Sequence, residues 1–199
     1  MRARPTLAMA LGVLATALAA ACGGSTSAIL GGDPGRDLLR QDQLPSPDFT
    51  VYQAEAPAGA GWLEPGSATV IAGDGFVSAA SVEYYRPIGF ATSNGPITLT
   101  ATAARFRASD QAAAALAAID AALDARPGAI RLNAGTLGDG GHGIGIDGTV
   151  DSVPAVEIVV VWRVDNLIDS LVSEGRLGGL QLGQILPLAA TQTADEDGG

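Results

Sequence analysis

Residues 154–164, PAVEIVVVWRV, decide the fold of this chain, and DNLIDSLV at residues 165–172 follows them directly. The three valines at 159–161 leave no polar face, which is typical of a strand in the middle of a sheet that is covered on both sides. Asp165 and Asn166 readily adopt the positive φ angles of a tight hairpin turn. We therefore predict two strands joined by a turn. A helix over residues 165–174, capped by Asp165, is the alternative.

Two upstream segments alternate in the manner of strands. Residues 76–86, FVSAASVEYYR, alternate between two faces and are rich in aromatic and β-branched side chains. In residues 97–103, ITLTATA, the apolar side chains fall at odd positions and the threonines at even ones. The alternation breaks at Arg105-Phe106, where we expect a bulge or a strand end that moves Phe106 to the core side.

Two other segments have the period of amphipathic helices. The first begins at Ser109, which we expect to cap the helix, and runs to about Arg126, where Pro127-Gly128 stops it. The second lies between residues 179 and 193, with Pro187 bending or starting it. The apolar face of the first helix comprises Ala112, Leu116, Ile119 and Leu123.

These elements form two successive units, residues 76–126 and 154–193, each a pair of strands followed by a helix. We therefore predict an α+β domain in which an antiparallel sheet is backed by about two helices on one face, as two ββα units. Shorter strands are expected at residues 48–53 and 129–132.

Glycine and proline dominate two further segments. Residues 56–75, around Trp62, are expected to be mostly loop, with only residues 68–72 resembling a strand. Residues 135–148 are expected to form a glycine-dense loop that exposes His142, the only histidine, to solvent.

The N-terminus has the pattern of an export signal. Arg2 and Arg4 precede an apolar run at residues 7–21, and Cys22, the only cysteine, follows it. Fifteen residues make roughly 22 Å of helix, which is too short to cross a hydrocarbon core of about 30 Å. The pattern therefore predicts a signal peptide over residues 1–21.

This leader resembles the lipobox of bacterial lipoproteins. In that family, the cysteine after the small residues receives diacylglycerol on its sulfur, and the anchor includes fatty acyl chains such as palmitate. The resemblance implies that Cys22 is lipidated and holds the protein on the extracytoplasmic face of the cell membrane. Ala19-Ala20-Ala21 is also a site for ordinary signal peptidase, so plain secretion with a free thiol is the alternative.

The remaining chain divides by composition into a lipidated cysteine and flexible linker at 22–35, a single domain at 36–194 and an acidic tail at 195–199. Loss of the leader removes two arginines, so the mature net charge is 9 − 21 = −12. Because such a body is repelled by phosphates, nucleic acid is excluded as an expected partner.

Beyond the leader, the domain resembles the small exported α+β lipoproteins and sensor-type ectodomains of Gram-positive bacteria. The resemblance rests on the order of the elements, on Leu44-Pro45 ahead of the first strand, and on WRVDN at residues 162–166. It implies an extracytoplasmic domain of α+β fold. The disulfides of some kinase sensor ectodomains have no counterpart, because Cys22 stands alone.

Catalytic motifs are weak. His142 with Asp139 or Asp147 and a serine would supply the residue types of a hydrolase, but no G-x-S-x-G or S-x-x-K motif marks a nucleophile. Asp139, Asp147 and Asp151 lack the spacing of a calcium-binding EF-hand loop, and one histidine is too few for a typical zinc site. We expect no metal ion and no cofactor.

Two hypotheses of function follow. The first is a membrane-anchored envelope lipoprotein whose non-catalytic α+β domain binds a small or apolar ligand or docks to an envelope protein, through the sheet face or the loops near Trp62 and His142. The alternative is a surface hydrolase that uses His142 with a nearby acid. The residues that bind the ligand are not identified by any motif.

Overall fold

The computed structural model describes residues 31–59 and 75–196, with side chains described as far as residue 194. The leader, Cys22, Trp62, the possible strand at 68–72 and the last three residues lie outside the described part. The elements are β1 (Thr50–Ala58), β2 (Phe76–Tyr85), β3 (Thr98–Phe106), α1 (Ser109–Asp124), β4 (Ala129–Leu132), β5 (Gly140–Val150), β6 (Val153–Val164), β7 (Leu167–Arg176) and α2 (Leu182–Glu196). Short 3-10 helices lie at Pro34–Asp37, Gln41–Gln43 and Phe90–Thr92.

The strands form one seven-stranded sheet in the order β1-β2-β3-β7-β6-β5-β4, and every neighbouring pair is antiparallel. The predicted α+β architecture is therefore confirmed. No helix in the described part of the chain is both long enough and apolar enough to cross a bilayer.

The β6–β7 hairpin lies inside the sheet, with β3 on one side and β5 on the other. Its turn is Asp165-Asn166, and Asp165 has a φ of 49°. The hairpin predicted for residues 165–174 is confirmed and the helical alternative is wrong. Val160 and Val161 are both fully buried because they face opposite sides of a sheet that has a helix on each side.

The two helices lie on opposite faces of the sheet, which corrects the expectation of one helical face. We call these the α1 face and the α2 face. The α1 face buries Ile119 of the helix against Val159, Val161 and Ile168 of the sheet. The α2 face buries Ile185 against Val160 and Trp162, and the N-terminal segment at Leu38 and Leu39 joins this core. Amphipathic helices have the same sequence pattern on either face, so the pattern did not separate the two arrangements.

β3 ends at Phe106, which was one of the two expected alternatives, but Phe106 does not change faces. Leu99, Ala101 and Ala103 share the α2 face as predicted, whereas Phe106 stays in register with the threonines and is buried on the α1 face. Its ring packs edge-on against Phe76, with centroids 6.0 Å apart. The bulge lies instead in β2, between Phe76 and Ser78.

The helix boundaries also differ from the expected ones. Ala108 is the N-cap residue of α1, and Ser109 is its first helical residue. The Ser109 hydroxyl donates instead to the carbonyl of Asp165, 3.0 Å away. Pro187 lies within α2, so the alternative in which it starts the helix is wrong.

The predicted glycine-dense loop at 135–148 is in large part strand β5, which is a further correction. Its glycines alternate with side chains: Gly141, Gly143 and Gly145 face the α2 side, whereas His142, Ile144 and Ile146 face α1. The connection before β5 packs onto the glycines, since a Cβ at Gly141 would lie only 3.3 Å from the Cβ atom of Leu137. The missing side chains therefore let this connection lie close against the sheet.

Candidate functional site

His142 lies in β5 and is only 4% exposed, so the expectation of a solvent-facing loop histidine is wrong. The alternation of β5 points its imidazole toward the C-terminal half of α1. There it meets Asp124, which lies one helical turn after Asp120. Sequence reasoning missed both acids as partners, although their spacing on one helix was a signal that they act together.

The contact between His142 and Asp124 is close but not an aligned hydrogen bond. His142 Nε2 is 3.1 Å from Asp124 Oδ1, yet this nitrogen is buried without a hydrogen-bond partner among the described residues. This distance is within the range of a hydrogen bond, so the contact fails on its angle, because the N–H does not point at the oxygen. Arg131, from the neighbouring strand β4, pairs with the other oxygen of Asp124.

The pKa values of the two acids, Asp120 and Asp124, shift in opposite directions. Burial raises the pKa of Asp120, and the electrostatic influence of His142 and Arg131 only partly opposes this rise. The hydrogen bond from Arg131 is the main cause that lowers the pKa of Asp124. Asp124 therefore holds a charge at neutral pH, and ionisation of Asp120 is penalised by burial.

A pocket of about 460 Å³ opens beside the cluster. A hydrolase that acts through His142 needs a hydroxyl or thiol nucleophile, or a water molecule, within hydrogen-bond reach. The lining residues offer no serine, threonine or cysteine; they are Arg131, Leu132, Asn133, Ala134, Gly135, Gly141 and His142. The arrangement is that of a buried histidine beside an exposed ion pair, next to a polar recess.

The acids that the sequence suggested for His142 lie elsewhere. Asp139 contacts Arg163 at 3.1 Å and accepts from the backbone N–H of Asp165 at 2.9 Å, so it braces the β6–β7 turn. Asp147 lies eight residues after Asp139 and five after His142, which corresponds to roughly 26 Å and roughly 17 Å of extended strand. This separation also removes the calcium alternative for Asp139, Asp147 and Asp151. No group of three potential metal ligands occurs within residues 31–59 and 75–196.

A second recess lies on the α2 face, between the start of α2 and strands β4 to β6, and we call it the groove. Its volume is about 210 Å³. Ile130 is 59% exposed and Leu177 is 42% exposed at its rim. β4 has only four residues, and α2 packs on β6 and β7, so this corner of the sheet is uncovered. The lining comprises Ile130, Leu132, Gly145, Asp147, Val156, Ile158, Leu177, Leu180, Gln181 and Leu182.

No protein-family model and no curated protein matches this sequence. Among solved structures, the extracellular domain of PknH from Mycobacterium tuberculosis is similar, with a TM-score of 0.53 and 11% sequence identity. The alignment covers 82% of this chain and 94% of that domain. The two domains share a fold. The predicted resemblance to exported sensor-type ectodomains is thereby confirmed for the fold alone, because so low an identity carries no residue roles.

Proposed function

We propose that this protein is an envelope lipoprotein, held by acyl chains on Cys22 at the extracytoplasmic face of the cell membrane. In this proposal its domain is not catalytic and docks, through the groove, to apolar side chains of an envelope protein. The docking proposal rests on one observation: the groove has an apolar lining, and Ile130 and Leu177 are exposed at its rim. The leader at residues 1–21 and the fold shared with an extracellular domain support the location.

The size of the groove favours protein side chains over a free drug-sized molecule. Pockets for drug-sized molecules usually enclose about 300–1,000 Å³, whereas the groove measures about 210 Å³. Burying apolar surface is worth roughly 25 cal/mol per Å². A partner that covers Ile130 and Leu177 would gain this free energy without any change in the fold.

The geometry around His142 gives the hydrolase alternative less support. A triad needs one imidazole nitrogen for the nucleophile and the other for the orienting acid. Here Nε2 faces Asp124, and no hydroxyl or thiol lines the adjoining pocket. The purified protein should not turn over generic ester, peptide or glycan substrates. Turnover that is lost in His142→Ala would overturn the non-catalytic proposal.

Crosslinking in intact cells tests the docking surface. A photoreactive amino acid at position 177 should form one adduct of defined mass, and Ile130→Glu on the same chain should abolish it. The matched control is the same probe at position 77, because Val77 is 45% exposed but lies on β2, far from the groove in the strand order. Equal adducts from both positions, or an adduct that persists with Ile130→Glu, would exclude the groove.

A further inference from the structure

The α2 face has a second recess, at the opposite edge of the sheet, where β1 is irregular. Thr50–Ala58 of β1 pairs with residues 79–85 of β2, and the register shifts twice, between Val51 and Gln53 and between Gln53 and Ala56. Each shift inserts one extra residue and bends the strand. A pocket of about 290 Å³ lies between this bent strand and the N-terminal segment, and we call it the β1 pocket.

The floor of the β1 pocket is apolar and buried. Leu38, Leu39, Val82 and Tyr84 line it, and each is at most 6% exposed. The Tyr84 hydroxyl donates to the carbonyl of Leu39 at 2.7 Å, which ties the N-terminal segment to β2. An apolar group that enters the pocket would therefore meet side chains that are already ordered.

The rim of the β1 pocket carries charge. Glu55 lies at the rim, and its carboxylate packs against the Cα atom of Gly35, where any side chain would displace it. Arg40 also lines the rim, and its guanidinium lies 3.6 Å from the carboxylate of nearby Asp42. Burial is the main cause that raises the pKa of Tyr84; the charges of Asp42 and Glu55 raise it further, and the charge of Arg40 lowers it.

We propose that the β1 pocket binds a small organic cation, whose apolar body packs on Leu38 and Val82 and whose ammonium group pairs with Glu55. A carboxylate beside an apolar floor is complementary to a protonated amine and repels a carboxylate of the same shape. This site is separate from the groove, so it adds a ligand to the proposed docking function.

Three probes with the same ring separate charge from shape: benzylamine, benzyl alcohol and benzoate. Their affinities would be measured calorimetrically with the full chain in lipid nanodiscs, with empty nanodiscs as the blank. We expect benzylamine to bind most tightly and benzoate least. Glu55→Gln should weaken benzylamine about tenfold, as expected for a hydrogen bond to a charged group, and should leave benzyl alcohol unchanged.

The matched control is Glu83→Gln, which removes the same charge from the opposite face of β2 and should leave all three affinities unchanged. Equal binding of benzylamine and benzoate, no binding of benzylamine, or full benzylamine affinity in Glu55→Gln would each overturn the proposal. The proposal is supported if benzylamine binds and its affinity falls in Glu55→Gln but not in Glu83→Gln.

Discussion

On the α1 face of the sheet the helix is bordered by ion pairs, whereas the α2 face carries two recesses with apolar floors. Asp124 pairs with Arg131 at one border of α1, and Arg126, just after the helix, lies 2.6 Å from Glu157 of β6. The groove meets α2 at Leu182, and the β1 pocket lies beside the N-terminal segment at the other edge of the same face. The difference teaches that charged pairs fix the helix on one face of the sheet, while the other face leaves apolar side chains exposed.

The largest expected difference between the faces is in core stability. Ile119→Ala should lower the free energy of unfolding by about 2–5 kcal/mol, because Ile119 is fully buried under α1 and its removal leaves a cavity. Ile130→Ala in the groove should change it by less than about 0.5 kcal/mol, since Ile130 is mostly exposed. Urea unfolding measures both. Equal losses would mean that the groove is part of the core and not a docking surface.

A buried polar contact on the α2 face should have the next largest effect. Gln192 Nε2 donates to Asp169 Oδ1 at 2.7 Å, and both residues are fully buried. Gln192→Leu removes this donor from a buried carboxyl group, so unfolding should become easier by about 1–3 kcal/mol. Thr191→Ala, one residue earlier and bonded only within the helix through Pro187, is the control and should stay within about 0.5 kcal/mol. A smaller loss for Gln192→Leu than for Thr191→Ala would contradict this assignment.

The acid cluster on the α1 face predicts a smaller, pH-dependent effect. Because burial raises the pKa of Asp120, its ionised form costs stability at neutral pH. Asp120→Asn should therefore stabilise the protein at pH 7, by less than about 1 kcal/mol after solvent screening. The gain should be present above the raised pKa and vanish as the pH falls below the ordinary pKa of an aspartate. Thermal unfolding from pH 7 to pH 3 checks this.

Asp124→Asn is the control of opposite sign. The pKa of Asp124 is lowered, chiefly by Arg131, so its stabilising charge is present at neutral pH and is lost as the pH falls through that lowered pKa. This variant should be less stable than the parent protein at pH 7, and the two should be equally stable once the pH lies below the lowered pKa of Asp124. The same sign for both variants would show that the cluster does not act through these charges.

The elements that could be predicted from the sequence are those in which apolar side chains recur at a regular spacing. The β6–β7 hairpin followed from valines on both faces and from Asp165-Asn166, and the apolar stripe of α1 followed from its helical spacing. β5 was missed because half of its alternation consists of glycine, which adds no hydrophobic signal. The site was missed because His142 and Asp124 meet only through the packing of α1 on β5, which no local pattern reveals.

Native mass spectrometry of the protein extracted from its own membranes tests the central claim, an anchored domain that binds through the groove, most directly. The parent chain and Val77→Glu should both carry an acyl mass on an N-terminal Cys22 and retain a bound partner, whereas Leu177→Glu should keep the acyl mass and lose the partner. A chain that retains residues 1–21 without acylation, or the same bound species in all three samples, would contradict the account.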